Sequence, residues 1–230
     1  MITILQNIFL TVFITVNLKI SYFFLVLLVL NEFESDKNDV KAVSYIDNGF
    51  EFPIVRLYNK DYGSYCTAFV ISPTTALTAA HCVVDFLTFY PAQNLFISDI
   101  QDIVEYPVKV AFYNKKSDVA ILIGDMSFFS KVEIANISEV EFDQGISCGY
   151  ANAIDLLCLK IDITTALTTT IVGINNQLIP GMSGGPLIVL DKKDNKYKVI
   201  GINSAMWLGT YSLFGNIEFH QSIINKWSEL

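Results

Sequence analysis

The sequence predicts an all-β fold, a barrel or a sandwich, from three observations. Short runs rich in β-branched and aromatic residues recur along the chain, and turn residues separate them. No long stretch with the 3.6-residue period of a helix interrupts these runs. The runs fall into two sets, with a more polar segment at 124–142 between them. Many short strands joined by turns are typical of barrels and sandwiches.

The predicted strands follow one another along the chain, and a helix follows them. The first set covers 52–58, 66–72, 76–80, 95–97, 104–113 and 119–123. The second set covers 145–150, 156–163, 169–174, 186–190 and 197–202. Ile223, Ile224 and Trp227 then stand at helical spacing, which predicts a short amphipathic helix over 221–230.

The composition allows a large core and does not favour a nucleic-acid partner. Of the 230 residues, 52% are hydrophobic, enough for one domain or for two barrels that share a cleft. The formal net charge is −8, and Arg56 is the only arginine. Because proteins bind nucleic acid through clustered lysine and arginine, we expect no nucleic-acid partner.

Residues 1–30 are nearly all apolar and predict a segment that directs export. Asn17 and Lys19 interrupt them, and the uncharged run 20–30 suits the core of a signal peptide. Taken whole, the segment is long enough to cross a bilayer if Lys19 is tolerated. A signal peptide and an N-terminal signal anchor both remain open, with a polar linker at 31–44 after them. Either one predicts a secreted or extracytoplasmic protein, which meets a membrane only through such an anchor.

The four cysteines, Cys66, Cys82, Cys148 and Cys158, agree with export to an oxidising compartment. Four cysteines allow three pairings, and their spacing alone leaves the choice open. Cys148 and Cys158 stand ten residues apart, across a predicted hairpin.

The motif with the clearest chemistry is Pro-Gly-Met-Ser-Gly-Gly-Pro at 180–186. Glycine tolerates positive φ and lets another backbone come close, so the motif predicts a tight loop that exposes the hydroxyl of Ser183. A serine displayed in this way is a candidate nucleophile if the chain also supplies a base and an orienting carboxylate.

Two upstream motifs supply a candidate base and a candidate carboxylate. His81, one of two histidines, stands in Thr-Ala-Ala-His-Cys at the end of a predicted strand, and Asp118 opens the apolar run 119–123. A carboxylate beside a buried strand is costly unless it is paired, and His81 is the evident partner. Asp102 and Asp125 are the competing acids, but the Asp-Val-Ala-Ile-Leu context favours Asp118.

In the order histidine, aspartate, serine, these motifs resemble those of the chymotrypsin/trypsin-like serine proteases. The resemblance covers roughly residues 50–227 and implies two six-stranded antiparallel β-barrels, chymotrypsin-like, with a short C-terminal helix. It implies a protease domain at 45–230, with barrels at about 45–130 and 131–220 and the helix at 221–230.

By the same resemblance, His81, Asp118 and Ser183 form a catalytic triad. The backbone N–H groups of Gly181 and Ser183 form an oxyanion hole. Ser204 matches the family serine that hydrogen-bonds the triad aspartate and precedes the substrate-binding strand. The implied activity is that of a serine endopeptidase acting on proteins or peptides, with no cofactor and no metal.

The family pattern also assigns a primary specificity pocket. Gln177 falls at its base, and Ala205 and Met206 fall along its wall. Asn216 falls near its back. Because the base residue is neutral, we expect no trypsin-like preference for Lys or Arg. His220 is interpreted as a surface histidine or as a contact for an acidic substrate side chain.

The resemblance implies one disulfide, Cys66–Cys82, because cysteines at those places are bonded in the family. The remaining pair is then Cys148–Cys158. Bonds of this kind add about 2–4 kcal/mol, mainly by restricting the unfolded chain.

One departure from the family pattern is Met182, where the family usually has aspartate. In zymogen-activated members that aspartate pairs with a freshly cut N-terminal ammonium. Here Ile54 and Val55 lie between Pro53 and Arg56, and no activation site is visible. Aspartate without an ammonium would be a buried, unpaired charge, which methionine avoids. The sequence therefore predicts a protease that needs no N-terminal activation.

Two other functions fit parts of the sequence. A catalytically silent serine-protease homologue would use the same scaffold as a binding module, but all three triad residues are present. The G-x-S-x-G nucleophile elbow of α/β-hydrolases also fits the motif around Ser183. That serine requires a helix directly after it, whereas Pro186 here begins a strand-like run. The sequence leaves the physiological substrate and the oligomeric state open.

Overall fold

The computed structural model of the chain describes residues 53–85, 87–98, 104–175 and 177–229. The predicted leader at 1–30 and the linker after it lie outside the described residues, as does the start of the first predicted strand. In the part described, no helix is long and apolar enough to span a membrane.

Six short strands form the first barrel. They are β1 Ile54–Asn59, β2 Ser64–Ser72, β3 Thr75–Thr78, β4 Leu95–Ser98, β5 Glu105–Asn114 and β6 Val119–Ile123. Antiparallel pairs close them in the order β1-β2-β3-β6-β5-β4. The barrel interior holds fully buried apolar side chains, among them Leu57, Phe69, Leu77 and Leu122. Burial of such side chains is the main force that holds the strands together.

Six further strands form the second barrel. They are β7 Gly145–Ala151, β8 Asp155–Ala166, β9 Thr170–Ile174, β10 Pro186–Asp191, β11 Lys196–Trp207 and β12 Tyr211–Asn216. They close in the order β10-β11-β12-β9-β8-β7, and helix α1, Gln221–Ser228, follows them. Ile161, Leu187, Ile200 and Phe214 are fully buried inside. Two six-stranded antiparallel barrels and a short C-terminal helix confirm the predicted fold class.

The strand predicted over 76–80 is shorter than expected. β3 ends at Thr78, and a 3-10 helix over Ala80–Cys82 follows it and carries His81. The N–H of Val83 donates to the carbonyl of Ala80 at 3.1 Å and closes this turn. His81 therefore leaves the sheet and lies on a tight turn at its end.

The end of the second barrel was only partly predicted. β11 continues beyond the predicted end to Trp207, and β12 was not predicted as a strand. Ser212, Gly215 and Asn216 dilute the apolar pattern of β12. Pairing with β9 and β11 supplies the order that the sequence pattern lacks.

Both disulfides join the pairs that were predicted. Cys66–Cys82 links β2 to the 3-10 helix that carries His81. Cys148 and Cys158 stand directly opposite each other in the β7–β8 hairpin and are bonded across it. The first of these bonds fixes the turn of His81 to the wall of the first barrel.

Thr67 on β2 connects the two barrels. Its hydroxyl donates to the carbonyl of Gly181 at 2.8 Å and accepts from the N–H of Tyr150 at 2.9 Å. Its own N–H donates to the carbonyl of Ser183 at 2.8 Å. Since Thr67 is fully buried, these bonds are shielded from water and hold the glycine-rich loop between the barrels.

Candidate active site

The loop that carries Ser183 lies between β9 and β10 and is tied to both barrels. Besides the bonds to Thr67, the N–H of Gly184 donates to the carbonyl of Asn203 on β11 at 2.8 Å. Gly184 has φ of +84°, and a Cβ there would collide with the carbonyl of Thr67 and the hydroxyl of Thr78. Only glycine fits this position, which explains one glycine of the motif.

His81 and Asp118 are in direct contact. The Nδ1 atom of His81 lies 2.7 Å from Oδ2 of Asp118, and the backbone N–H of His81 donates to Oδ1 at 2.9 Å. The carboxylate therefore holds the histidine by its ring and by its backbone. Asp118 adopts φ of +54° just before β6, a left-handed conformation that aspartate tolerates better than most residues.

The surroundings of Asp118 favour its charged form. Burial alone would raise the pKa of its carboxyl, because a charge is less stable away from water. Hydrogen bonds from His81 and Ser204, together with the charge of His81, outweigh burial and hold the pKa of Asp118 below its usual range. The carboxylate is therefore ionised at neutral pH and stabilises a positive charge on His81.

Ser204 on β11 completes the set of donors around Asp118. Its hydroxyl donates to Oδ2 at 2.6 Å, the oxygen that also contacts His81. Asp118 thus accepts from Ser204 Oγ and from two donors of His81, and most of its side chain is shielded from solvent. Such a carboxylate has little freedom to rotate.

Ser183 lies beside the turn of His81. Its carbonyl oxygen accepts from the N–H of Thr67 and lies 3.8 Å from Sγ of Cys82, the residue after His81. Within the described residues, no hydrogen bond joins Ser183 Oγ to the His81 ring. In unliganded enzymes this bond is often long and shortens when substrate binds. The structure thus joins His81 to Asp118 directly and brings the serine loop alongside them.

The backbone N–H groups of Gly181 and Ser183 are available for a ligand. Neither donates to an acceptor anywhere in the described chain, whereas the N–H groups of Met182 and Gly184 are bonded to Ile179 and Asn203. Two unpaired donors in one short loop, one of them the N–H of the serine itself, can bind a negatively charged oxygen.

The predicted pocket residues lie on three segments. Gln177 is exposed, and its amide donates to the carbonyl of Gly209 in the β11–β12 turn at 2.7 Å. Ala205 is exposed and Met206 half-buried on β11. The sequence-based roles of these residues in specificity stay predictions.

Asn216 does not lie where it was predicted. On β12 it pairs with Gly201, and its buried amide donates to the carbonyl of Leu167 at 2.9 Å. Met206 pairs instead with Ser212, at the other end of β12. The prediction that Asn216 lies at the back of the pocket is therefore wrong. Counting residues from Ser204 by the family pattern placed Asn216 beside Met206, whereas the two lie at opposite ends of the β11–β12 pairing.

The interpretation of His220 as a surface or substrate-binding residue is also wrong. Its ring is buried between Phe112 and Phe219, and Nε2 lies 2.5 Å from the hydroxyl of Ser117. Burial lowers the pKa of His220, which favours the neutral ring. Within the described residues no hydrogen bond joins His220 to Asp118, although its partner Ser117 directly precedes Asp118 in the chain.

A cleft of about 430 Å³ opens beside His81 between the barrels. Ser204, Leu213 and Phe214 line it, and the exposed Lys115 and Lys116 lie at its edge. A cleft of this size is in the range of ligand-binding sites. Its lining is mainly apolar.

One cluster in the described chain has the ligand types of a metal site, namely Cys66, His81 and Cys82. The two sulfur atoms are bonded to each other. A zinc site of this kind requires free thiolates, so the cluster does not fit a metal.

Two residues that hold the serine loop were missed by sequence reasoning. Thr67 and Asn203 are fully buried polar residues within strands. Their hydrogen bonds reach the loop across 114 residues for Thr67 and 21 residues for Asn203. The only local signal was a polar residue within a run of strand-forming residues, which is a weak indication.

Comparisons with known proteins agree with this geometry. The sequence profile of the trypsin-like peptidase domain matches residues 66–202. Among curated proteins, no sequence matches the chain.

Solved structures with the same fold are serine proteases of low sequence identity. The active form of the Rv3671c protease from M. tuberculosis is 17% identical with a TM-score of 0.63, over 84% of this chain and 87% of that one. The thermostable serine protease AL20 from an extremophilic microorganism is 16% identical with a TM-score of 0.63, over 77% and 97%. A serine endoprotease from Yersinia pestis is 15% identical with a TM-score of 0.61, over 77% and 63%.

At these identities the structural likeness shows the fold, and the family profile adds the sequence relationship. The profile spans more than half of the chain and includes the motifs of His81, Asp118 and Ser183. The resemblance drawn from those motifs is thereby confirmed, and the chain belongs to the trypsin-like peptidase family.

Proposed function

We propose that this protein is a serine endopeptidase that cleaves peptide bonds with Ser183 as nucleophile, His81 as general base and acid, and Asp118 as orienting carboxylate. The observation that carries the proposal is the double contact between Asp118 and His81, at 2.7 Å to the ring and 2.9 Å to the backbone. Because Nδ1 must carry the proton toward the carboxylate, Nε2 is left free to accept one.

The proposed reaction begins when substrate binding brings Ser183 Oγ next to Nε2 of His81. The oxygen attacks the scissile carbonyl carbon while His81 takes its proton. The resulting tetrahedral intermediate collapses, and His81 gives the proton to the departing amine. Water then attacks the acyl-enzyme by the same route, which restores Ser183.

The N–H groups of Gly181 and Ser183 stabilise the negative oxygen that forms in each tetrahedral intermediate. Their freedom from other acceptors supports this role. A donor of this kind contributes about 3–4 kcal/mol to transition-state stabilisation.

The proposed enzyme needs no N-terminal cleavage to become active. Met182 is fully buried and packs against Gly149 on β7, so that position carries no charge that would need an ammonium. Ile54 begins β1, pairs with Phe69 and accepts a hydrogen bond from Tyr150 Oη at 3.3 Å. These contacts support a role for Ile54 in the wall of the barrel.

We also propose that the protein acts outside the cytoplasm on protein or peptide substrates. Its two disulfides support this compartment, because such bonds persist in oxidising surroundings. The cleft of about 430 Å³ beside His81, with its mainly apolar lining, supports binding of a substrate side chain.

Labelling with a fluorophosphonate probe tests the proposal, since the probe reacts only with an activated serine. We expect the full chain to be labelled at Ser183, with the site read by mass spectrometry. Ser183→Ala, His81→Ala and Asp118→Asn should each abolish labelling and hydrolysis, without additive effects, because the three residues act as one unit.

Ser64→Ala is a matched control, because Ser64 is exposed at the start of β2. It should be labelled like the wild type. A folded wild-type chain that neither reacts with the probe nor hydrolyses a casein or peptide library would overturn the proposal. That result would favour the binding-module alternative.

A further inference from the structure

The side chain of Asn203 lies at the centre of a buried network behind the serine loop. Asn203 is fully buried on β11. Its Nδ2 donates to the carbonyl of Cys148 on β7 at 2.8 Å and to the carbonyl of Met182 at 3.0 Å. Its Oδ1 accepts from the hydroxyl of Ser147 at 2.8 Å. The amide thus joins β7, β11 and the loop.

The orientation of this amide follows from its partners. The carbonyl groups of Cys148 and Met182 can only accept, so the NH₂ end must face them. The hydroxyl of Ser147 can donate to the remaining oxygen. Every polar atom of Asn203 is therefore satisfied, as a buried amide requires.

The carbonyl of Met182 accepts from Asn203 Nδ2 and from the N–H of Gly185, both at 3.0 Å, and these two bonds set where the N–H of Ser183 points. The carbonyl of Met182 and the N–H of Ser183 belong to one peptide group, and no peptide bond in the described residues is cis. In a trans peptide these two groups point in opposite directions. When Asn203 holds the carbonyl inward, the N–H of Ser183 is directed away from the core.

The other candidate donor is directed in the same manner. The carbonyl of Pro180 accepts from the N–H of Asn152 at 2.7 Å, and the N–H of the same peptide group belongs to Gly181. The carbonyl groups of Pro180 and Met182 differ in the groups that donate to them. Asn152 acts through its backbone, which any residue offers, whereas the carbonyl of Met182 is held by the side chain of Asn203 in addition to the backbone N–H of Gly185.

The backbone of Asn203 strengthens the same attachment. Its N–H donates to the carbonyl of Gly185 at 2.7 Å, and its carbonyl accepts from Gly184 at 2.8 Å. A Cβ at Gly185 would collide with the carbonyl of Cys148 and come within 3.0 Å of Asn203 Nδ2. Glycine there lets the loop approach the amide.

From these contacts we infer that Asn203 is a positioning residue that sets the orientation of the Ser183 N–H for binding the oxyanion. The inference rests on the proposed function and adds a residue to it. In zymogen-activated members of the family, the aspartate usual at the place of Met182 pairs with a freshly cut N-terminal ammonium. In this chain a neutral amide on the neighbouring strand holds the loop, and it requires no cleavage.

The test compares Asn203→Leu and Asn203→Asp with the wild-type full chain. Leucine is similar in size but donates nothing, and ionised aspartate presents only acceptors to two carbonyl groups. Asn216→Leu is the control, because Asn216 is a buried asparagine of the same barrel whose amide donates to the carbonyl of Leu167 and has no bond to the serine loop within the described residues. Thermal melting of all variants verifies folding.

We expect both Asn203 variants to lower kcat by roughly 10²–10³-fold, the range for loss of one oxyanion donor, with little change in KM. Affinity for a peptide boronic acid, whose adduct with serine carries a tetrahedral oxygen, should fall by a similar factor. Affinity for the same peptide ending in an amide should not. Asn216→Leu should lower the melting temperature while keeping kcat within about threefold of the wild type.

The pH profile separates positioning from simple destabilisation. A protonated carboxyl can donate to one of the two carbonyls, so the ratio of Asn203→Asp to wild-type kcat should rise as pH falls. Asn203→Leu should keep a constant ratio. A folded Asn203→Leu variant with kcat within threefold of the wild type would overturn the inference.

Crystal structures of the wild type and the variants decide the matter even if the wild type proves inactive. Inactive wild-type protein contradicts the proposed function alone. A Met182–Ser183 peptide that rotates in the Asn203 variants then supports the positioning role. The same peptide orientation in all of them contradicts it.

Discussion

The hydroxyl of Ser204 lies 2.6 Å from Oδ2 of Asp118, the same oxygen that lies 2.7 Å from Nδ1 of His81. Ser204 directly follows Asn203, which holds the serine loop. The register between β11 and β12 shifts between Asn203 and Ala205, so Ser204 is the extra residue of a β-bulge. Bulges redirect side chains near active sites. Because of this bulge, Ser204 bonds the carboxylate of Asp118 while the preceding residue, Asn203, bonds the serine loop.

The first prediction is that Ser204→Ala lowers kcat/KM by about tenfold or more, since a hydrogen bond to a charged group contributes about 1.5–3 kcal/mol. The lost donor also allows the depressed pKa of Asp118 to rise. Activity should therefore decline at a higher pH than in the wild type when the solution is acidified. Ser204→Thr keeps the hydroxyl and should retain most activity. Identical profiles of kcat/KM against pH for wild type and Ser204→Ala would contradict the role of this bond.

Much of the site was predictable because its chemistry is encoded in short local motifs. His81, Asp118 and Ser183 each stand in a distinctive context of neighbouring residues. Apolar and β-branched runs predict the strands. The β7–β8 hairpin could likewise be recognised, since two strand-like runs at 145–150 and 156–163 follow each other closely along the chain. Signals of this kind need no knowledge of the tertiary structure.

The remainder depends on contacts that no local pattern contains. Asn203 looks like an ordinary polar residue in a strand until β7 and the loop pack on it. His220 is buried because the rings of Phe112 and Phe219 close over it. The position of Asn216 depends on how β12 pairs with β11 and β9, and counting residues along a family pattern does not contain that pairing.

The second prediction concerns substrate choice. Gln177 is neutral, so peptides with Arg or Lys before the scissile bond should be poor substrates, and uncharged or acidic residues should be better. The cleft edge adds a preference, because Lys116 is exposed there while Lys115 lies over the ring of Phe89 at 3.4 Å. A cation on the edge attracts acidic side chains of the substrate.

Lys116→Glu should lower kcat/KM for acidic relative to neutral peptides by about three- to tenfold at low salt, and the difference should shrink at high salt. Lys109→Glu is the control with the same charge change at another exposed position of the first barrel. Cleavage profiling of a peptide library gives the measurement. A wild-type profile dominated by Arg would show that the pocket assignment is wrong.

The third prediction concerns stability in acid. The Asp191 carboxyl, 2% exposed, accepts from Lys198 Nζ at 2.8 Å. This bond, opposed by burial and aided by the N–H groups of Glu141 and Lys193, lowers the pKa of Asp191 from 3.8 to about 2. A depressed pKa means that ionised Asp191 stabilises the fold above the ordinary pKa. This stabilisation is lost as pH falls through the interval from 3.8 to about 2.

Asp191→Asn should therefore have a lower free energy of unfolding than the wild type at pH 6, and this difference in free energy should vanish as pH approaches 2. Urea unfolding across this pH range measures it. Asp143→Asn removes the partner of Lys192 in an ion pair whose aspartate is 82% exposed, and it should change the free energy of unfolding little, since exposed ion pairs contribute weakly. A difference for Asp191→Asn that is the same at every pH would contradict the ionic explanation.

The fourth prediction concerns Met182, whose side chain is fully buried beside Gly149. Met182→Asp should destabilise the active loop or the whole fold by about 3–5 kcal/mol, because the carboxylate would be buried without a cation. Met182→Leu has a similar volume and no charge, so it should cost less than about 1.5 kcal/mol. The pair of variants separates charge from packing, and both activity and thermal stability are measured.

The uncharged side chain of Met182 also predicts that the unprocessed full chain is already active, because Met182 needs no N-terminal ammonium to neutralise it. Activity is measured before and after limited trypsin treatment, and the N-terminus is sequenced each time. Equal activity per folded molecule is expected in both samples. If activity appears only after a cut that frees Ile54, the loop depends on a new N-terminus. The amide of Asn203 would then be insufficient to hold the loop, and Met182 would not replace the family aspartate in the way its burial suggests.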